Sequence, residues 1–322
     1  MANSRQSGER DVFAVRPGFV GNSPWFLTFA ASGSPLNPII RFRKGRAHMP
    51  VLLAGTSRLA FEEHGSGQPV VLIPPAGARA GLWTLHQVPA IVDAGYRAVL
   101  LDTRGTDPLS IPAAPFRLAD LAADAACLIT ELQLGPCLIV GASLGAMVAQ
   151  ELALRRPDLL RSAVLLGTRC RTDFFRGKFT RALAAQVRRG EPPSELDALM
   201  LLTQLFSATT LADDAQAANL LALVQVFYAR GIGPAMQYEA TIIPDRTNAL
   251  RQVACPCLVV AFAEDSLTPP ALCREVAAAI PRCRYVEIDN CGHFGFLERP
   301  EQVNATLMDF FSAARQLPEH RR

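Results

Sequence analysis

The segment Leu138-Ile139-Val140-Gly141-Ala142-Ser143-Leu144-Gly145 joins a short apolar run to a stretch, Leu144 to Arg155, that reads as a helix. A short run without a polar residue suits a strand buried on both faces of a parallel sheet. A strand that passes straight into a helix needs a sharp turn, and the residue at its apex has strained dihedrals. Bulky residues at 141 and 145 would collide across that turn, which accounts for the two glycines. The turn aims the Ser143 hydroxyl away from the sheet. It also places the N–H of Leu144 at the helix N-terminus, where it can hold negative charge. Ser143 is therefore the candidate nucleophile, with Leu144 as one backbone donor.

The same alternation extends in both directions. Arg58 to Glu63, Val70 to Ile73, Ala98 to Leu101, Ala163 to Leu166, Leu258 to Ala261 and Tyr285 to Ile288 read as further strands. Leu118 to Leu134, Ala271 to Ile280 and Glu301 to Ala314 read as helices between or after them. Repeated strand-helix units imply right-handed crossovers onto one sheet, hence an α/β fold. Residues 171–250 break the rhythm with helical stretches only, Phe179 to Arg189, Ser194 to Leu205 and Asp213 to Tyr228. They read as a helical cap inserted between a first core segment, 57–170, and a second, 251–322. The cap has more apolar side chains than its own short helices need, so some are expected to face a substrate cleft.

A serine hydroxyl needs a base. His293, in Cys291-Gly292-His293-Phe294-Gly295, lies on a loop after the last strand. His48 and His320 lie near the ends, His64 follows the first strand, and His86 sits in a helical pattern, so they fit less well. The base in turn needs an orienting carboxylate. Asp265, just past the penultimate strand, is the candidate, and Glu264 is its nearest rival. Strand ends on that edge are where open α/β sheets bind ligands. The chain order Ser, Asp, His fits.

Composition narrows the function classes. The chain has 322 residues, 50% hydrophobic and 19% charged, with a formal net charge of +3. Both charge signs are mixed, which leaves no electrostatic footprint for nucleic acid. No apolar run approaches a membrane span. Trp25 to Ala31 makes a poor signal peptide, so the expected compartment is the cytoplasm. The 8 cysteines form no C-x-x-C pair and read as small buried hydrophobes in a reducing compartment. A zinc site from Cys255, Cys257, Cys291 and His293 has no recognised spacing, so no metal is expected. Residues 1–56 are rich in Ser, Gly, Pro and Arg without a sustained period, and read as a poorly ordered or loosely docked extension. Met49 is a candidate natural start. Oligomeric state has no signature in the sequence.

Residues from about Ser57 to Phe311 resemble the α/β-hydrolase family. The resemblance rests on Leu59-Ala60-Phe61-Glu62-Glu63-His64-Gly65-Ser66-Gly67-Gln68-Pro69, on Leu101-Asp102-Thr103-Arg104-Gly105 and on Gly292-His293-Phe294-Gly295-Phe296-Leu297-Glu298-Arg299-Pro300, beside the serine motif. It implies a mostly parallel eight-stranded sheet flanked by helices, an inserted cap and no cofactor. One segment departs from the family. Many members carry His-Gly after the third strand, followed by a second oxyanion donor, whereas this chain has Ile73-Pro74-Pro75-Ala76-Gly77. Proline has no N–H to donate. The donor is then Ala76, with Gly77 as substitute. A serine at 143 excludes the branches that use an aspartate nucleophile. Hydrolysis of a carboxylic ester or thioester of a small acyl substrate is the expected activity. Acyl transfer, cyclisation, cofactor-free peroxidase or carbon–carbon bond chemistry, and plain binding are the alternatives.

Overall fold

The computed structural model describes residues 50–54, 57–106, 112 and 114–315, and the backbone of two strands nearer the N-terminus. Met49, and with it the start-site expectation, lies outside the described residues, as do His48 and His320. The chain divides into two compact units, Met1–His48 and Met49–Arg322. In the first, Trp25–Ala30 pairs antiparallel with Ile39–Lys44. The sequence reading placed no strand there. The Ser, Gly, Pro and Arg content of 1–56 argues against regular structure, but Trp25-Phe26-Leu27-Thr28-Phe29 is rich in residues that favour strands.

The second unit is built on eight strands: β1 (Val51–Ala54), β2 (Ser57–Gly65), β3 (Gln68–Ile73), β4 (Tyr96–Leu101), β5 (Cys137–Ala142), β6 (Leu160–Leu166), β7 (Cys257–Phe262) and β8 (Cys283–Ile288). They form one sheet in the order β8-β7-β6-β5-β3-β4-β2-β1. β1 and β2 run antiparallel to their neighbours, and every other pair is parallel. The mostly parallel eight-stranded sheet is the expected fold class. β1 is an addition to the strands read in the residues, and it moves the start of the core ahead of residue 57. It is only four residues long and half exposed, so it has no long apolar run to announce it.

Helices cover both faces. In chain order they are α1 (Gln87–Asp93), α2 (Leu118–Glu131), α3 (Leu144–Arg155), α4 (Phe174–Arg188), α5 (Glu195–Leu205), α6 (Ala208–Leu211), α7 (Asp214–Phe227), α8 (Ile232–Ala240), α9 (Thr247–Leu250), α10 (Pro270–Ala279), α11 (Gly295–Glu298) and α12 (Pro300–Arg315). Successive strand residues point to opposite faces. Val71, Ile139 and Val259 pack with α2, α3 and α10, while Leu72, Val140 and Val260 pack with α1 and α12. That is why these strands show no polar alternation. The insertion between β6 and β7 holds α4 to α9 and no strand. α8 escaped the sequence reading because Gly233 and Pro234 argue against a helix. Both fall in its first turn, where a proline N–H has no helical partner anyway. Gly233 is also required by contact, since a Cβ there would meet Gly105 O at 2.3 Å.

The described cysteines form no disulfide, and most are buried. Among the described residues no cluster of His, Cys, Asp or Glu is placed to hold a metal ion. No described helix is long and apolar enough to cross a membrane.

Candidate active site

Ser143 occupies the turn between β5 and α3 with φ 53° and ψ −112°. Positive φ is rare for a residue with a Cβ and has to be held by its surroundings. Two contacts hold it: Ser143 N–H donates to Leu166 O at 2.9 Å, and Ser143 O accepts from Met147 N–H at 3.1 Å. A Cβ on Gly145 would stand 2.1 Å from Ile73 O, and one on Gly141 would stand 2.2 Å from Gly145 O. The turn is thus wedged against the end of β3. Gly145→Ala is expected to cost about 2–3 kcal/mol from overpacking against backbone. In a thermal melt that is a fall of roughly 3–5 °C for a protein of this size. Gly177→Ala is the control, because its nearest foreign atom would be a flexible arginine tip at 3.4 Å.

The acid and base lie on the loops after β7 and β8. Asp265 and His293 are both buried, and Asp265 Oδ2 accepts from His293 Nδ1 at 2.7 Å. Thr268 Oγ1 also donates to Oδ2, at 2.6 Å, while the N–H groups of Leu267 and Thr268 donate to Oδ1 at 2.8 and 2.7 Å. Burial alone would raise the Asp265 pKa, but the His293 ring and the Thr268 donors outweigh it and hold the carboxyl below its usual range. Glu264, the rival, is exposed to solvent. Of the other histidines described, His64 sits on β2 beside Glu62, and His86 caps α1. Neither reaches the site.

Ser143, His293 and Ala76 line one small cavity, of about 60 Å³, with Leu183, Leu201 and Leu205 of the insertion. Some apolar side chains of the insertion therefore do face the cleft. The base loop is tied to the same insertion. Phe294 N–H donates to Leu205 O at 2.8 Å. Glu298 accepts from Gly292 N–H at 2.6 Å and from Ser207 Oγ at 2.7 Å. The sequence reading gave Glu298 no role of its own.

A residue far along the chain engages Gly77. Gln237 on α8 is fully buried, and its Oε1 accepts from Gly77 N–H at 2.7 Å. Its Nε2 lies 2.9 Å from Thr103 Oγ1, 2.9 Å from Arg104 O and 2.8 Å from Thr106 Oγ1. Gly77 N–H is thus taken by the Gln237 side chain. No pattern in the sequence marks Gln237, because a single glutamine in an unrecognised helix has no periodicity to betray it.

The sequence and the fold have known counterparts. The model of the alpha/beta hydrolase family matches residues 70–306. A putative non-heme bromoperoxidase, BpoC of Mycobacterium tuberculosis, is 40% identical over 260 residues, which is 80% of this chain and 98% of that protein. Its crystal structure superposes with a TM-score of 0.76, covering 84% of this chain and 99% of the other at 39% identity. A putative carbamate hydrolase, RutD of Azorhizobium caulinodans, is 25% identical and covers 81% of this chain and 98% of its own. A thermophilic esterase from Thermogutta terrifontis, whose structure has malate bound, is 27% identical with a TM-score of 0.70, over 80% of this chain and 94% of its own. With most of its length matched by the family model and by relatives spanned almost end to end, the chain belongs to the alpha/beta hydrolase family.

Proposed function

We propose that the protein is a serine hydrolase that cleaves carboxylic esters or thioesters of small acyl groups through an acyl-enzyme. The observation that carries this reading is the buried Asp265–His293 pair opening onto the cavity where Ser143 is held at φ 53°. Asp265 accepts the Nδ1 proton, which leaves His293 Nε2 as the base. Ser143 Oγ attacks the substrate carbonyl as His293 takes its proton. The N–H groups of Leu144 and Ala76, which have no acceptor among the described residues, hold the oxyanion. His293 then protonates the leaving alcohol or thiol, and a water that it activates releases the acid. The small cavity suits a short acyl chain.

The likeness to a putative non-heme bromoperoxidase favours a second reading of the same site. Hydrogen peroxide in place of water would attack the acyl-enzyme, giving a peracid and free Ser143. Both readings require an activated serine. Intact mass after treatment with a fluorophosphonate tests this: Ser143 Oγ displaces fluoride from phosphorus, and one adduct is expected on wild type and none on Ser143→Ala. Folded wild-type protein that takes up no adduct overturns both. Peracid formed from an ester and hydrogen peroxide, measured against hydrolysis of the same ester, then separates them.

A further inference from the structure

A buried cation shares the cavity with Ser143 and forms no ion pair with a carboxylate among the described residues. Arg169, three residues past the end of β6, is only 6% exposed. Its Nη2 donates to Thr241 O at 3.2 Å, with Thr241 Oγ1 at 3.4 Å. Thr241 ends α8, so this contact serves one carbonyl at the negative end of a helix. The rest of the guanidinium is unspent. Nε is buried without an acceptor among the described residues, and Nη1 makes no hydrogen bond to them.

The neighbouring acids are committed elsewhere. Asp173 pairs with Arg176, and Asp265 pairs with His293. Among the described residues that line the cavity, Arg169 bears the one permanent charge, and none is Asp or Glu. Burial, with Arg176 adding repulsion, pushes the Arg169 guanidinium down to about 10, so it stays protonated at neutral pH. Burying a charge without a partner is unfavourable. Keeping one in a cavity whose lining supplies no carboxylate suits a ligand that brings the missing charge. The planar fork of an arginine matches a carboxylate best.

We propose that Arg169 binds a free carboxylate of the substrate, so that the enzyme acts on esters, thioesters or lactones that carry an acid group besides the bond they lose. The proposal rests on the serine-hydrolase reading for the reaction, but the carboxylate site itself does not depend on turnover. Two matched pairs test it. Monoethyl succinate and ethyl butyrate share a four-carbon acyl chain and differ in a charge on the acyl side. Acetoxyacetate and ethyl acetate differ in a charge on the alcohol side.

In at least one pair, the wild-type kcat/KM for the anionic member is expected to exceed that for the neutral one. Arg169→Gln is expected to lower that anionic-to-neutral ratio by about 10–100-fold, as loss of a charged hydrogen-bonded contact does. Arg169→Lys, which keeps the charge and loses the fork, should fall between. A ratio near one for wild type in both pairs, or anionic and neutral rates that fall together in Arg169→Gln, overturns the proposal. Calorimetric titration of succinate into Ser143→Ala, with and without Arg169→Gln, separates this proposal from the reaction. Arg169-dependent binding in a protein whose wild type takes no fluorophosphonate would sink the serine reading and keep the anion site. Normal labelling without Arg169-dependent binding would do the reverse.

Discussion

Ser143→Ala is expected to lower kcat for an ester substrate by about 10⁶-fold, as loss of a triad nucleophile does. The side chain that is removed faces the cavity and takes no part in holding the turn. The contacts that fix the turn are those of the Ser143 backbone with Leu166 and Met147 and the close packing of Gly141 and Gly145. Alanine accepts the same φ at the same cost, so the variant should keep the wild-type melting temperature. The loss should appear in kcat, because the rest of the cavity lining is untouched. What rate remains would come from the backbone donors and from binding alone. A drop of tenfold or less, in a variant that melts like wild type, would mean that another group carries the reaction.

Asp265→Asn should cost about 10⁴-fold in kcat. The asparagine amide can present an N–H where Oδ2 now accepts from His293 and Thr268, which favours the imidazole tautomer with its proton on the wrong nitrogen. The same substitution has a signature in stability. The Asp265 carboxyl is held below its ordinary value of 3.8, so the folded state favours the charged form. Its contribution is therefore complete above that unfolded value and is lost as pH falls through the depressed folded value. The gap in unfolding free energy between wild type and Asp265→Asn is expected to be constant near neutrality and to shrink below about pH 4. Denaturant midpoints of both proteins from pH 7 to pH 3 measure it. A gap that does not change across that range would mean that the Asp265 interactions do not depend on its charge.

Much of this protein is legible along the chain because its key features are local. Gly141-Ala142-Ser143-Leu144-Gly145 announces a strand-to-helix turn, since the two glycines are required within five residues of each other by contacts at the turn itself. The buried strands are legible as apolar runs because both faces of the sheet are covered. His293 and Asp265 stand out as polar residues just past such runs, and the structure brings them within 2.7 Å of each other. The short edge strand β1 and the helix α8 were not legible. The first is too short and too exposed to form a pattern, and the second opens on a glycine and a proline that its first turn happens to tolerate.

By itself, then, the sequence determined the α/β class, the sheet and its turn at Ser143, and which side chains stand at the strand ends. These depend on neighbours a few residues away, and local sterics and periodicity encode them. Only the tertiary structure decided which N–H groups remain free and which charges remain unpaired. Gly77 N–H is taken by Gln237, 160 residues later, and Arg169 has no ion-pair partner among the described residues because Asp173 and Asp265 are held by other residues. A hydrogen-bond donor or a charge is spent or unspent according to what packs against it, and that partner is set by the folded chain, not by the residues alongside it.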